Sequence, residues 1–233
     1  MYLQKVTNNI TVLRDDLLEG GSKTRFLPYL IKGADEIVFA GPFCGGAPLA
    51  LSVLGRQSGQ KITLFYAKRK LWHRKQLAAK KNGANIIEVT PGYMTVNQSR
   101  ARTYAKEAGA LFLPLGFDVP AAEEPFVEFM EKVRKKIDKV DQVWCCAGSG
   151  MLARCLGNAF PESEICAVAI GLASRHEAQS FDSNIRMIKS RYRFEQETRA
   201  ECPFPSCANY DRKAWEVCAK EAKGKILFWN VSS

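Results

Sequence analysis

Histidine is scarce in this chain of 233 residues: His73 and His176 are its only two. The cysteine spacing Cys202-Pro203-Phe204-Pro205-Ser206-Cys207 has no second ligand pair beside it. A zinc centre is therefore not expected, and this Pro-rich turn reads better as a loop lining a site. No run of 18 apolar residues occurs, so no membrane-spanning helix is expected. The opening Met1-Tyr2-Leu3-Gln4-Lys5 lacks the apolar core of a secretory signal. There is no internal repeat and no low-complexity linker, which sets aside repeat arrays. Acidic residues are short too, 24 against 34 lysines and arginines, for a net charge of +10. That excess is unusual for an enzyme of free amino acids and points to a polyanionic partner.

What is present suits a folded α/β domain. The hydrophobic content, 46%, allows a sizeable core. Cys145, Cys146 and Cys166, among eight cysteines, lie in apolar runs and read as buried small hydrophobes in a reducing cytoplasm. Short β-branched runs predict strands at 36–40, 61–66, 85–89, 110–114, 142–146, 164–170 and 225–229. Helical patterns between them cover 47–58, 70–82, 98–108, 123–136, 152–159 and 210–223. This alternation indicates parallel sheets covered by helices on both faces. Residues 172–209 are polar and irregular, and read as a cover over a site or a partner surface.

Two segments carry chemistry. In Asp15-Asp16-Leu17-Leu18-Glu19-Gly20-Gly21-Ser22-Lys23-Thr24-Arg25, a lysine follows two glycines and a serine. Glycine permits close backbone approach. A lysine held in a partly dry place has its amine made reactive by desolvation. The plain alternative is a solvated lysine in a turn. Asp15 and Asp16 are read as orienting Arg25 or capping a helix. The second segment, Val143-Trp144-Cys145-Cys146-Ala147-Gly148-Ser149-Gly150-Met151-Leu152, reads as a buried strand, a Gly-Ser-Gly turn and a helix. Such a turn aims backbone N–H groups and a helix dipole at one point, which suits a phosphate.

Together with Tyr210-Asp211-Arg212-Lys213-Ala214 and the ending Leu227-Phe228-Trp229-Asn230-Val231-Ser232-Ser233, these segments resemble pyridoxal-phosphate enzymes of the tryptophan-synthase-β fold type. The likeness is to the aminocyclopropane-carboxylate deaminase and D-cysteine desulfhydrase branch. It runs in order from about residue 12 to the end. It implies a two-lobed, reduced fold with residues 1–44 and 116–233 as the larger, cofactor-binding lobe and 45–115 as the smaller. It implies pyridoxal 5'-phosphate bound through Lys23, with Gly148, Ser149, Gly150 and Met151 at the phosphate. Lys23 and Tyr210 become the catalytic candidates. Asp211 falls where relatives place a carboxylate beside the pyridine nitrogen, and it equally suits a helix N-terminus. Ser232 is a second partner for that nitrogen, and Cys44 and Gly45 lie near the cofactor edge. A homodimer is implied as well.

The chain departs from the family pattern in places. Where the branch has a Ser-Asn-His segment, this chain reads Gly41-Pro42-Phe43-Cys44-Gly45-Gly46. The phosphate loop has lost its threonine, and the final His-Thr-Gly-Gly is Asn230-Val231-Ser232-Ser233. Two basic clusters stand out: Lys68, Arg69, Lys70, Trp72, Arg74 and Lys75, then Arg186, Lys189, Arg191 and Arg193. They read as a nucleic-acid surface, with Trp72 stacking on a base or simply packing, or as solvated faces. Charge and short length resemble the small enzymes of phage DNA-base hypermodification, which implies an amino acid carried on thymine, decarboxylated in a host cytoplasm. A lyase or deaminase on a free amino acid, and a non-catalytic phosphate- or nucleic-acid-binding derivative, are the other readings.

Overall fold

The computed structural model describes residues 1–117, 119–170 and 183–232. The chain divides into two compact units, Met1–Ser22 with Glu123–Ser233, and Lys23–Ala122.

The first unit is built on a six-stranded sheet of β1 (Leu3–Lys5), β2 (Ile10–Arg14), β7 (Gln142–Ala147), β8 (Glu164–Ala169), β9 (Ile185–Lys189) and β10 (Ile226–Asn230), in the order β1-β2-β10-β7-β8-β9. Only the β1–β2 pair is antiparallel. The alternate residues Trp144 and Cys146 of β7, Cys166 and Val168 of β8 and Phe228 of β10 form one face of the core. They meet Ala214, Trp215 and Cys218 of helix α7 (Asp211–Glu221). The opposite face, in register through Val143, Ile165 and Ile185, takes helix α6 (Met151–Ala159), whose Gly157 abuts Ile185. Both faces of the parallel strands are thus covered, which is why these strands are apolar throughout rather than alternating.

The second unit has four parallel strands in the order β5-β4-β3-β6: β3 (Glu36–Ala40), β4 (Lys61–Ala67), β5 (Asn85–Val89) and β6 (Leu111–Leu113). Val38, Ala40 and Phe65 pack on Ala101 and Ala105 of α4 (Met94–Ala108). Among the described residues the remaining α-helices are α1 (Leu27–Ile31), α2 (Gly46–Ser58) and α3 (Arg74–Lys81), with α5 (Pro120–Arg134) lying mostly in the first unit.

Three expectations change here. The unit expected over 45–115 runs from Lys23 to Ala122, because β3 pairs in parallel with β4 and β6 and draws the preceding residues with it. Within the stretch expected to be irregular, Ile185–Lys189 is a strand at the sheet edge; residues 171–182 lie outside the described residues. The helix expected from Lys70 starts at Arg74, because His73 caps it: its Nδ1 accepts the Lys75 N–H at 3.2 Å while Gln76 Oε1 accepts the His73 N–H at 3.0 Å.

Tyr66 in β4 is buried, and its hydroxyl has no hydrogen-bond partner among the described residues. Burial pushes its phenol up, so it stays protonated. A buried donor without a partner costs roughly 1–3 kcal/mol. Tyr66→Phe is therefore expected to stabilise the protein by about 1 kcal/mol in urea unfolding. Destabilisation by a similar amount would show that a bound water completes the hydroxyl.

Candidate active site

Strands β2, β10, β7 and β8 are parallel, so their C-terminal ends share one edge of the first unit's sheet. Ligand sites of open α/β sheets gather at such edges. The segments that leave this edge are Asp15 after β2, Val231 after β10, Gly148 after β7 and Ile170 after β8.

After β7 the backbone enters the Gly148-Ser149-Gly150 turn and then α6. Gly150 is the N-cap, in a left-handed conformation at φ 96°, and no side chain caps the helix there. The Tyr210 hydroxyl closes on the turn: a Cβ on Gly148 would lie 2.7 Å from Tyr210 Oη. Only glycine leaves room for that approach. Burial first, then the proximity of the acidic groups of Cys146 and Asp211, drives the Tyr210 phenol well above its usual range. Tyr210 therefore remains a neutral hydroxyl at physiological pH. Cys146 Sγ donates to the Tyr210 carbonyl at 3.0 Å, and burial holds that thiol protonated as well.

Asp211 opens α7 and is fully buried. Its Oδ2 accepts the backbone N–H of Ser232 at 3.1 Å and the Ser232 hydroxyl at 3.4 Å. Ser232, expected as a backup partner for the pyridine nitrogen, thus hydrogen-bonds Asp211. The turn 202–207 docks at the same place. Cys207 N–H donates to the Ser232 carbonyl at 3.0 Å, Ser206 Oγ donates to Asn230 Oδ1 at 2.9 Å, and Asn230 Nδ2 donates to the Pro205 carbonyl at 2.9 Å.

The segment ahead of Lys23 is held at this edge too. Asp15 bonds Ser22 and Asp16 forms a two-pronged pair with Arg14, both contacts at 2.7 Å. The aspartates were expected to orient Arg25 or cap a helix; these bonds show them organising the turn ahead of Lys23. Ser22 also accepts from Trp229 Nε1 at 3.1 Å, and its own N–H donates to the Val231 carbonyl at 3.1 Å. Ser22, Trp229 and Val231 join this edge with no local sequence signal, since Ser22 and Trp229 are 207 positions apart.

Lys23, Cys44 and Gly45 belong to the second unit. Lys23 sits in a 3-10 turn, Gly21–Arg25, and is half-buried. Cys44 is buried, and Gly45 is the N-cap of α2. Of the first basic cluster, Lys68, Arg69, Lys70 and Arg74 are exposed, whereas Lys75 is buried. The Trp72 indole donates to Glu88 at 3.1 Å and so is anchored on β5. In the second cluster two of the four cations are paired, while Lys189 and Arg193 are exposed. Arg186 pairs with Glu164 at 2.8 Å and with Glu221 at 3.6 Å, and Arg191 pairs with Glu216. Glu216 also accepts from Thr198 at 2.7 Å and Tyr192 at 3.0 Å, while the buried Lys213 ammonium caps the carbonyls of Arg193 and Phe194 at 2.8 and 3.2 Å.

The donor set in the first unit fits pyridoxal phosphate. A glycine turn running into a helix N-terminus suits the phosphate, and a buried carboxylate suits a protonated ring nitrogen. No helix among the described residues is long and apolar enough to cross a membrane.

No family model matches the chain, and no curated protein does. Solved structures do. The chain is similar to an ACC deaminase homologue (18% identity, 96% of this chain on 84% of that one, TM-score 0.81). It is similar to a hydrogen sulfide-producing enzyme from Fusobacterium nucleatum (16% identity, 96% on 90%, TM-score 0.74). It is also similar to the processed form of threonine deaminase isoform 2 from Solanum lycopersicum (12% identity, 96% on 74%, TM-score 0.70). The resemblance carried by the lysine, glycine and C-terminal segments is thus borne out as a likeness of fold: this chain has the α/β fold of these structures.

Proposed function

We propose that the protein is a pyridoxal-phosphate-dependent lyase that breaks a bond at the α-carbon of an amino-acid group. The observation that carries this is the buried Asp211 carboxylate. It is held by Ser232 on the same sheet edge as the Gly148-Ser149-Gly150 turn and the turn that leads into Lys23. The deaminases and the hydrogen sulfide-producing enzyme among the structural neighbours favour elimination or deamination over decarboxylation.

In this reading the backbone of Gly148, Ser149, Gly150 and Met151 holds the phosphate, Lys23 makes the covalent attachment, and Asp211 faces the ring nitrogen. The cofactor, when bound, supplies the electron sink for the α-carbon. Lys23 moves the proton at that carbon. The Asp211 carboxylate stands in a dry place, where its charge would act strongly on a neighbouring positive charge. Tyr210, kept neutral, orients as a hydrogen-bond donor. Cys44 and Gly45 stand as cofactor-edge residues, and the assembly implied is a cytoplasmic homodimer. The test is to add pyridoxal phosphate, reduce with borohydride and map the added mass. A visible band that borohydride bleaches, with the mass on the Lys23 peptide, supports the reading. No band leaves a non-catalytic phosphate-binding protein.

A second reading concerns the substrate. Ten of the chain's 34 basic residues fall between Lys68 and Lys106, a span with a single acid, Glu88, so this span carries +9 of the net +10. At the C-terminal ends of β4 and β5, Lys68, Arg69, Lys70 and Arg74 stand exposed with Leu71 and Tyr93, which are 83% and 84% exposed. Such a surface suits nucleic acid, with the cations on phosphates and Tyr93 on a base, so that the amino acid is presented on a DNA base such as thymine. Four phosphate contacts predict that affinity for single-stranded DNA falls on the order of 10²-fold between 50 and 200 mM salt. A flat salt response, with turnover of free amino acids, returns the substrate to the free amino-acid class.

A further inference from the structure

The residue directly before Lys23 is pinned on three sides. Ser22 is buried. Its hydroxyl donates to the fully buried Asp15 carboxylate at 2.7 Å and accepts the indole N–H of Trp229 at 3.1 Å, and its backbone N–H donates to the Val231 carbonyl at 3.1 Å. Trp229 is itself fixed edge-on by Phe126 and Phe129 of α5, with ring centroids 6.1 Å away in each case. Gly21 makes the approach possible: it sits at φ 74°, and a Cβ there would run into the Val231 carbonyl oxygen. The next residue along, Ser232, holds Asp211. One dipeptide therefore carries both ties, the carbonyl of Val231 to Ser22 and the N–H of Ser232 to Asp211.

We propose that Ser22 is a positioning residue: with Asp15 and Trp229 it fixes the backbone from which Lys23 follows, and Val231–Ser232 ties Ser22 to the strand end that also holds Asp211. This rests on the reading of Lys23 as the cofactor-bearing lysine. A glycine-rich turn would otherwise be free to drift, and a drift of one ångström at a reacting group is enough to cost about 10²-fold in rate. Serine suits the place because one hydroxyl can donate to a carboxylate and accept from an indole at once.

The experiment compares wild type with Ser22→Ala, Ser22→Thr and Trp229→Phe. The first readout needs no cofactor: competitive acetylation of Lys23 across pH, followed by mass spectrometry. The second is the pH midpoint of the visible band after pyridoxal phosphate is added. Ser22→Ala is expected to move the Lys23 labelling profile and the band midpoint by about one pH unit, a tenfold change in the balance of protonation states. Its kcat should fall with little change in KM. Ser22→Thr keeps the hydroxyl and should return both profiles towards wild type. Trp229→Phe keeps the packing, drops one hydrogen bond and should shift them less, and it decides the matter if Ser22→Ala does not fold. Labelling and band as in wild type for folded Ser22→Ala, or for Trp229→Phe in its place, overturn the proposal even if thermal stability drops. A wild type without a band, but with Lys23 labelling that depends on Ser22, sinks the cofactor reading and leaves the positioning intact.

Discussion

Lys23→Ala is expected to abolish the visible band formed with pyridoxal phosphate and to lower kcat/KM by about 10³-fold or more. The size of the effect follows from two roles in one side chain. The amine anchors the cofactor, and it moves the proton at the substrate α-carbon. Loss of the anchor alone leaves a cofactor held by its phosphate, which titrates in more weakly. Loss of the proton carrier cannot be repaired by adding cofactor, so saturating pyridoxal phosphate should restore binding without restoring rate. Lys32→Ala, at an exposed position of the same unit, is the control that removes an amine without touching either role. A Lys23→Ala protein that keeps the band would move the attachment to another lysine and remove the basis of the proposed mechanism.

Asp211→Asn is expected to lower kcat by about 10²-fold, the scale seen when a preorganised electrostatic partner is removed from a dry site. The amide oxygen can still accept from the Ser232 N–H, so the hydrogen bond survives while the charge goes. Asp211 also opens α7, and there a carboxylate contributes roughly 0.3–1 kcal/mol through the helix dipole. The two roles separate in measurement. A fall in kcat with urea stability within about 1 kcal/mol of wild type assigns the charge to catalysis. Unchanged kcat with lowered stability assigns it to the helix.

Much of the sheet framework was legible in the chain, for a physical reason. Strands covered on both faces are apolar throughout, so Glu36–Ala40 stands out as a run with the bounds it has in the structure; Asn85–Val89, a partly exposed edge strand, stands out through Ile86, Ile87 and Val89. Ile185–Lys189 did not stand out. An edge strand needs no uniform apolar character, and its Arg186 and Lys189 read as surface charge until Glu164 and Glu221 are seen beside Arg186. Ile10–Arg14, equally long, was not expected as a strand; it is held by pairing with both β1 and β10.

The site divides in the same way. Lys23, Gly148 to Gly150 and Asp211 lie in segments with local patterns that name their chemistry. The bonds that hold them do not. Ser22 meets Trp229 across almost the whole chain, and Ser232 meets Asp211 only because β10 ends beside α7. A reading of local pattern finds the groups that react and misses those that aim them.

Helix α7 carries Asp211 and Lys213 in its first turn and Glu216 in the next, and Lys213 and Glu216 clamp residues 191–198. In evolutionary terms this places the tolerance for change on one side of the helix and the constraint on the other. Insertions or deletions in the long segment before Tyr210 can be absorbed ahead of the clamps. The carboxylate, anchored through Ser232 on the opposite side of that boundary, keeps its place. A change of length ahead of the clamps therefore leaves in place the residue on which the proposed chemistry depends.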